Sequence, residues 1–215
     1  MNIPYFVYRI VSLPSRQITR PLPRRFWDRV TIVENSEEMV EVQGFRVRNT
    51  IAEKLNRAAA KLPAGISIKV LDGYRSPARQ KESWERKWIV VKNEHPEWTA
   101  DQIDREVRQV VARPEGISNH VCGGAIDVCL VDGQGMMLDF GTEYAAAGEA
   151  GRRMCPMFAP GLTPEQIRNR KMLRRAMESA GFVWYPGEWW HYCYGDRMWA
   201  VYSGRTECCY GPVEI

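Results

Sequence analysis

The chain has 215 residues, 45% of them apolar and 26% charged, with a formal net charge of +4. That length suits one larger domain or at most two small ones, and the composition is that of an ordinary soluble globular protein, which excludes wholesale disorder, collagen-like repetition and low complexity. No run of about 18 apolar residues occurs, so no membrane-spanning helix is expected, and +4 is too weak a charge to point to nucleic acid as a partner.

The segment from Met1 to Arg9 lacks a basic stretch followed by a long apolar one, so the expected location is cytoplasmic. Residues 1–35 are rich in Pro and Arg and read as an extended arm anchored on the domain by Tyr5, Phe6, Tyr8, Phe26 and Trp27. Residues 36–215 are expected to form one domain. A hairpin over residues 38–48 should turn near Gly44. Ile51, Leu55, Ala58, Ala59 and Leu62 follow helical spacing, and Pro63 with Gly65 should end that helix. Ile66, Ile68 and Val70 alternate with Ser67 and Lys69, which predicts a strand ending at Asp72-Gly73. Ser76-Pro77 opens a helix reaching about Lys92. Thr99 with Gln102, and Thr163 with Gln166, are capping boxes. The helix after Thr163 should turn Ile167, Leu173, Ala176, Met177 and Ala180 inward and close at Gly181. Strands are expected over Ala125–Leu130, Phe182–Tyr185 and Trp189–Tyr194. The sum is an α+β fold, a small antiparallel sheet with helices packed on one face.

Two scarcities direct attention to chemistry. There are three histidines, His95, His120 and His191, and six cysteines without a C-x-x-C pair. The cysteines read as free, mostly buried thiols. In the strand after Gly123-Gly124, Ile126, Val128 and Leu130 share an apolar face, so Asp127 points to the other side, within reach of His120. A third donor from His191 would complete a three-ligand zinc site with an open position, the catalytic arrangement. Two neutral imidazoles and one carboxylate leave the dication a net +1, which helps bring bound water to a pKa near ~7. Glu188, three residues before His191, would act as general base and acid if Pro186-Gly187 breaks the strand there. Arg75 could stabilise an oxyanion. Taken singly, each of these residues has an ordinary structural reading: a satisfied histidine, a solvated turn carboxylate, a salt-bridge cation. Their combination is the signal.

Ser118 to Asp127 fits Ser-x-His-x-x-Gly-x-Ala-x-Asp, and Glu188 to His191 fits Glu-x-Trp-His. With Asp72-Gly73-Tyr74-Arg75, these segments resemble the zinc D,D-peptidases, nearest to the D-alanyl-D-alanine dipeptidases of the vancomycin-resistance (VanX) type, over roughly residues 47–194. The resemblance implies His120, Asp127 and His191 as ligands of one zinc ion per chain, Glu188 and Arg75 as catalytic residues, Ser118 at the substrate-binding edge, and a small D-amino-acid peptide as substrate. Where the dipeptidases carry an Asp for the substrate ammonium, this chain has Ala145. Either Glu143 or Asp139 replaces it, or the substrate has no free amine there. Arg75-Ser76 followed by Gln80 resembles the D,D-carboxypeptidases instead, so removal of terminal D-alanine from stem peptides is the alternative. A zinc-binding domain without turnover is a further one, disfavoured by the presence of both Glu188 and Arg75.

Overall fold

The computed structural model describes residues 30–33, 38–108, 110–116, 118–146 and 148–213. Most of the expected N-terminal arm, with its aromatic anchors, lies outside the described residues. Its described end does more than lie on the surface: β1 (Thr31–Ile32) pairs in parallel with β8 (Glu207–Cys208).

The hairpin forms as expected, from β2 (Met39–Val42) and β3 (Phe45–Arg48). Its turn residues Gln43 and Gly44 have φ of 51° and 83°, the left-handed pair that a tight two-residue hairpin needs. The Gln43 side chain then reaches β4 (Ser67–Asp72), accepting from the Val70 N–H at 2.9 Å and donating to the Ile68 carbonyl at 3.0 Å. β4 is an edge strand, and this side chain satisfies backbone groups that would otherwise invite pairing.

α1 (Asn49–Ala59) buries Ile51, Leu55 and Ala58. It is shorter than its apolar spacing predicts: Ala59 is exposed and Leu62 sits in the closing turn. In β4, Ile68, Val70 and Asp72 are buried while Ser67 and Lys69 are exposed. Ser76 caps α2 (Pro77–Glu94), and the Thr99–Gln102 box opens α3 (Ala100–Val107). These two helices pack on each other through Val91, Ile103 and Val107.

The main sheet is antiparallel, in the order β4, β5 (Ala125–Val131), β7 (His191–Cys193), β6 (Val183–Trp184). Ile126, Val128, Leu130, Trp184 and Tyr192 meet α1 and α5 (Pro164–Ser179) in the main core. Between β5 and α5 lies a short helix, α4 (Gly148–Met154). Two expectations need correction. Ile167 is 50% exposed. It stands six residues before Leu173, about 120° round the helix, and Asn169 and Arg170 continue the buried face instead. The sheet is also covered on its second face, because Ala125, Val183 and Cys193 pack on α6 (Arg197–Tyr202), which Asp196 caps by accepting from the Trp199 N–H at 2.8 Å. The mixed α+β architecture stands.

Candidate metal centre and catalytic cavity

Strand register sets the first two donors. Asp127 on β5 lies directly opposite His191 on β7, and His191 Nδ1 is 2.8 Å from Asp127 Oδ1. His120 comes from the turn before β5, where Gly123 takes a φ of 67° that disfavours other residues. Its Nδ1 donates to the Gly73 carbonyl at 2.8 Å, which leaves Nε2 as an acceptor 3.5 Å from Asp127 Oδ1. Gly73 can approach because it has no side chain; a Cβ there would stand 2.6 Å from the Arg46 carbonyl oxygen. One ligand atom from each of His120, Asp127 and His191 lies within 4.8 Å of the others, and all three residues are buried. Two imidazole nitrogens and a carboxylate oxygen at this spacing fit a zinc ion.

The strand expected from Trp189 begins at His191, and Trp189-Trp190 form a turn. That irregularity brings Glu188 to the same side as His191, with Oε2 4.0 Å from His191 Nδ1. Trp189 is core packing, stacked on Phe140 with ring centroids 4.0 Å apart, while Trp190 reaches the cavity wall. Arg75 leaves the end of β4 and donates to Asp72 Oδ2 at 2.6 Å and Gln80 Oε1 at 3.1 Å. One cavity of about 800 Å³ holds Arg75, Ser118, His120, Asp127, Glu188 and His191 in its walls. Glu143 is not among its lining residues and is exposed. Asp139 is committed elsewhere, accepting from the Gly141 N–H at 2.7 Å and from Gln166 Nε2 at 2.9 Å. Ala145 does line the cavity, so neither candidate carboxylate takes the place beside it.

Electrostatics divide the two carboxylates. Burial alone would raise Asp127, but His120 and His191 hold its carboxyl well below the usual range. Burial pushes Glu188 up to about 7, against the pull of His191. One acid is thus fixed as an anion, and the other is poised to exchange a proton near neutrality. Burial works against the charge of Arg75, yet the adjacent Asp72 raises its pKa further.

Three contributors had no role assigned from sequence, although Asp72 and Gln80 stand in the motifs quoted above. Tyr144 donates its hydroxyl to Asp127 Oδ2 at 2.8 Å and stacks edge-on with Trp190. Asp72 and Gln80 hold Arg75, and Gln80 in turn donates to the Ala112 carbonyl at 2.7 Å. Asp72 and Gln80 sit three residues before and five after Arg75, a spacing that could have marked them as its partners. Tyr144 follows Asp127 by 17 residues through an irregular loop and carries no such signal. Cys122, Cys129 and Cys193 are buried thiols outside the ligand group.

The peptidase M15 family profile, described as D-ala-D-ala dipeptidase, matches residues 32–209. A D-alanyl-D-alanine dipeptidase of Synechocystis is 37% identical over 91 residues, covering 38% of this chain and 36% of the relative. That of Escherichia coli is 30% identical over 129 residues, covering 60% and 55%. The matches therefore span between about a third and about half of these relatives' lengths. Among solved structures, VanYB in complex with D-alanine-D-alanine superposes with a TM-score of 0.52 at 20% identity, covering 92% of this chain and 94% of that one. A mutant of the vancomycin-resistance D,D-pentapeptidase VanY in complex with Zn(II) gives 0.52 at 18% identity, covering 83% and 96%. Both likenesses are of fold.

Proposed function

Because this chain belongs to the peptidase M15 family of D-Ala-D-Ala dipeptidases, we propose that it hydrolyses D-Ala-D-Ala with one zinc ion held by His120, Asp127 and His191. The observation that carries the reading is the convergence of those three buried donors within 4.8 Å, with Glu188 and Arg75 in the walls of the same cavity.

Zinc bound there supplies Lewis acidity toward water and the peptide carbonyl. The chain's own residues do the rest. Glu188, poised near neutrality, takes a proton from the attacking water and gives it to the departing amine. Arg75, pinned by Asp72 and Gln80, presents a fixed positive charge to the oxyanion that forms. Gly73 and Tyr144 hold His120 and Asp127 in ligating orientation. Ser118, buried at the cavity wall, is assigned to the substrate edge. A site that only bound metal for stability would need neither Glu188 nor Arg75.

One observation favours the second reading, a D,D-carboxypeptidase. The cavity wall holds Ala145, while Glu143 and Asp139 face elsewhere, which suits a substrate without a free amine. The test is metal analysis of the purified protein together with D-alanine release from D-Ala-D-Ala and from an N-acylated D-Ala-D-Ala. About one zinc per chain and release from the free dipeptide is the expected result. A zinc-loaded protein that leaves the free dipeptide intact overturns the dipeptidase reading.

A further inference from the structure

Two of the three metal donors have outer partners described above: the Gly73 carbonyl holds His120 Nδ1, and the Tyr144 hydroxyl holds Asp127 Oδ2. The third, His191, turns Nδ1 toward Asp127 Oδ1 and Glu188 Oε2, so Nδ1 is its ligating atom. A histidine that ligates through Nδ1 carries its proton on Nε2, and a buried N–H needs an acceptor. His191 is 7% exposed. Among the described residues, Nε2 has one hydrogen-bond partner, the Cys193 sulfur at 3.4 Å.

Strand geometry puts the thiol there. His191 and Cys193 are two residues apart on β7 and share a face, Cys193 standing opposite Ala125 as His191 stands opposite Asp127. Cys193 is fully buried, and so is Asp196 beside it. Asp196 gives Oδ1 to the Trp199 N–H at 2.8 Å and keeps Oδ2 buried without a partner. A Cβ at Gly124 would stand 2.8 Å from the Asp196 Cβ, so the second glycine of the His120–Asp127 segment is what lets this carboxylate approach. Sulfur is a weak acceptor, but a thiol whose own proton is turned onto a carboxylate accepts better, because each bond in such a chain polarises the next. The thiol thereby holds the ring without setting a second fixed charge against it.

We propose that Cys193 is a positioning residue of the metal centre. Its sulfur accepts from His191 Nε2, its S–H turns onto Asp196 Oδ2, and the chain of bonds fixes the His191 tautomer that ligates through Nδ1. The inference rests on the zinc-site reading above and adds the outer partner of its third ligand.

The test reads zinc affinity, by competition with a chromophoric chelator, in Cys193→Ala and Cys193→Ser. Alanine removes the acceptor, whereas serine supplies a hydroxyl that both accepts and donates. Alanine should weaken zinc binding about 10-fold, the lower range for losing the outer partner of a ligand, and serine by less than about 3-fold. Cobalt(II) in place of zinc gives a spectroscopic readout. Its visible ligand-field bands should shift in the alanine variant and return to their wild-type position with serine, and the wild type should show no sulfur-to-cobalt charge-transfer band. Asp196→Asn keeps a helix cap but aims an N–H at the sulfur. It should cost about 3-fold in zinc affinity alone and nothing further in Cys193→Ala, because both changes act through one bond. Urea unfolding of each metal-free variant ensures that folded proteins are compared. Wild-type affinity in Cys193→Ala, a serine variant as weak as the alanine one, or a charge-transfer band that puts sulfur on the metal overturns the proposal. So does an Asp196→Asn loss that is absent alone or persists in full in Cys193→Ala. D-Ala-D-Ala hydrolysis by the zinc-loaded wild type is measured alongside; zinc uptake without hydrolysis rejects the peptidase reading alone.

Discussion

Glu188→Gln should make the metal-free protein more stable and the zinc-loaded enzyme nearly inactive. Burial raises the Glu188 carboxyl from 4.5 to about 7. At about 1.4 kcal/mol per tenfold change in proton affinity, ionising it in the folded state costs about 3 kcal/mol more than in the unfolded chain. The folded value lies above the unfolded one, which fixes the sign. Below about pH 4.5 both states are protonated and the cost vanishes. As pH rises the unfolded chain ionises first, and stability falls until the folded carboxyl also ionises, near 7. Glutamine keeps the shape and cannot ionise. Urea unfolding in the presence of a chelator, followed by tryptophan fluorescence, should therefore show the variant ahead by about 3 kcal/mol at about pH 8 and by less than about 1 kcal/mol at about pH 5. With zinc restored, D-Ala-D-Ala hydrolysis should fall by about 10²-fold or more. A stability difference that does not change with pH, or a variant less stable than wild type under alkaline conditions, would refute burial as the cause and remove the physical basis for Glu188 as the base.

Tyr144→Phe removes the donor to Asp127 Oδ2 without changing the ring packed on Trp190. Zinc affinity should drop by about 10-fold, read by competition with a chromophoric chelator, while the unfolding midpoint of the metal-free protein moves little. Arg170 is 2% exposed, and its guanidinium donates to the carbonyls of Phe140, Met154 and Pro156. Arg170→Met should cost about 3 kcal/mol in urea unfolding by leaving those buried carbonyls without donors. If the loss were below about 1 kcal/mol, the carbonyls would have other partners.

How much of this could be read in advance depended on whether local periodicity carried the information. Asp127 declared its side through the apolar alternation of Ile126, Val128 and Leu130, and the strand formed as that alternation requires. The capping boxes at Thr99 and Thr163 were visible because both partners lie within one turn. Glu188 needed a break in the strand, and Pro186-Gly187 announced one. Long-range contacts left no such trace. Nothing near Tyr144 marks it as a partner of Asp127. Arg170 looks like a solvated helix cation, yet backbone carbonyls 14–30 residues earlier in the chain, one of them at the end of α4, surround it. Glu143 had the right chemistry at the right place in sequence, but the backbone turns at Ala145, with φ of 51°, and the carboxylate faces solvent. α6 is six residues long, too short for an apolar period to register.

The direct opposition of Asp127 and His191 across one antiparallel rung has a consequence for how such a protein can diversify. Their separation is a lattice constant of the pleated ladder, about 5 Å between facing backbones, and owes nothing to the long excursion of chain that joins the two strands. Insertions or deletions in its exposed loops, away from Tyr144, Glu188 and the packed α5 and β6, can remodel what enters the cavity while the distance between these two donors stays put. Selectivity and coordination are thereby separable traits, open to change one at a time.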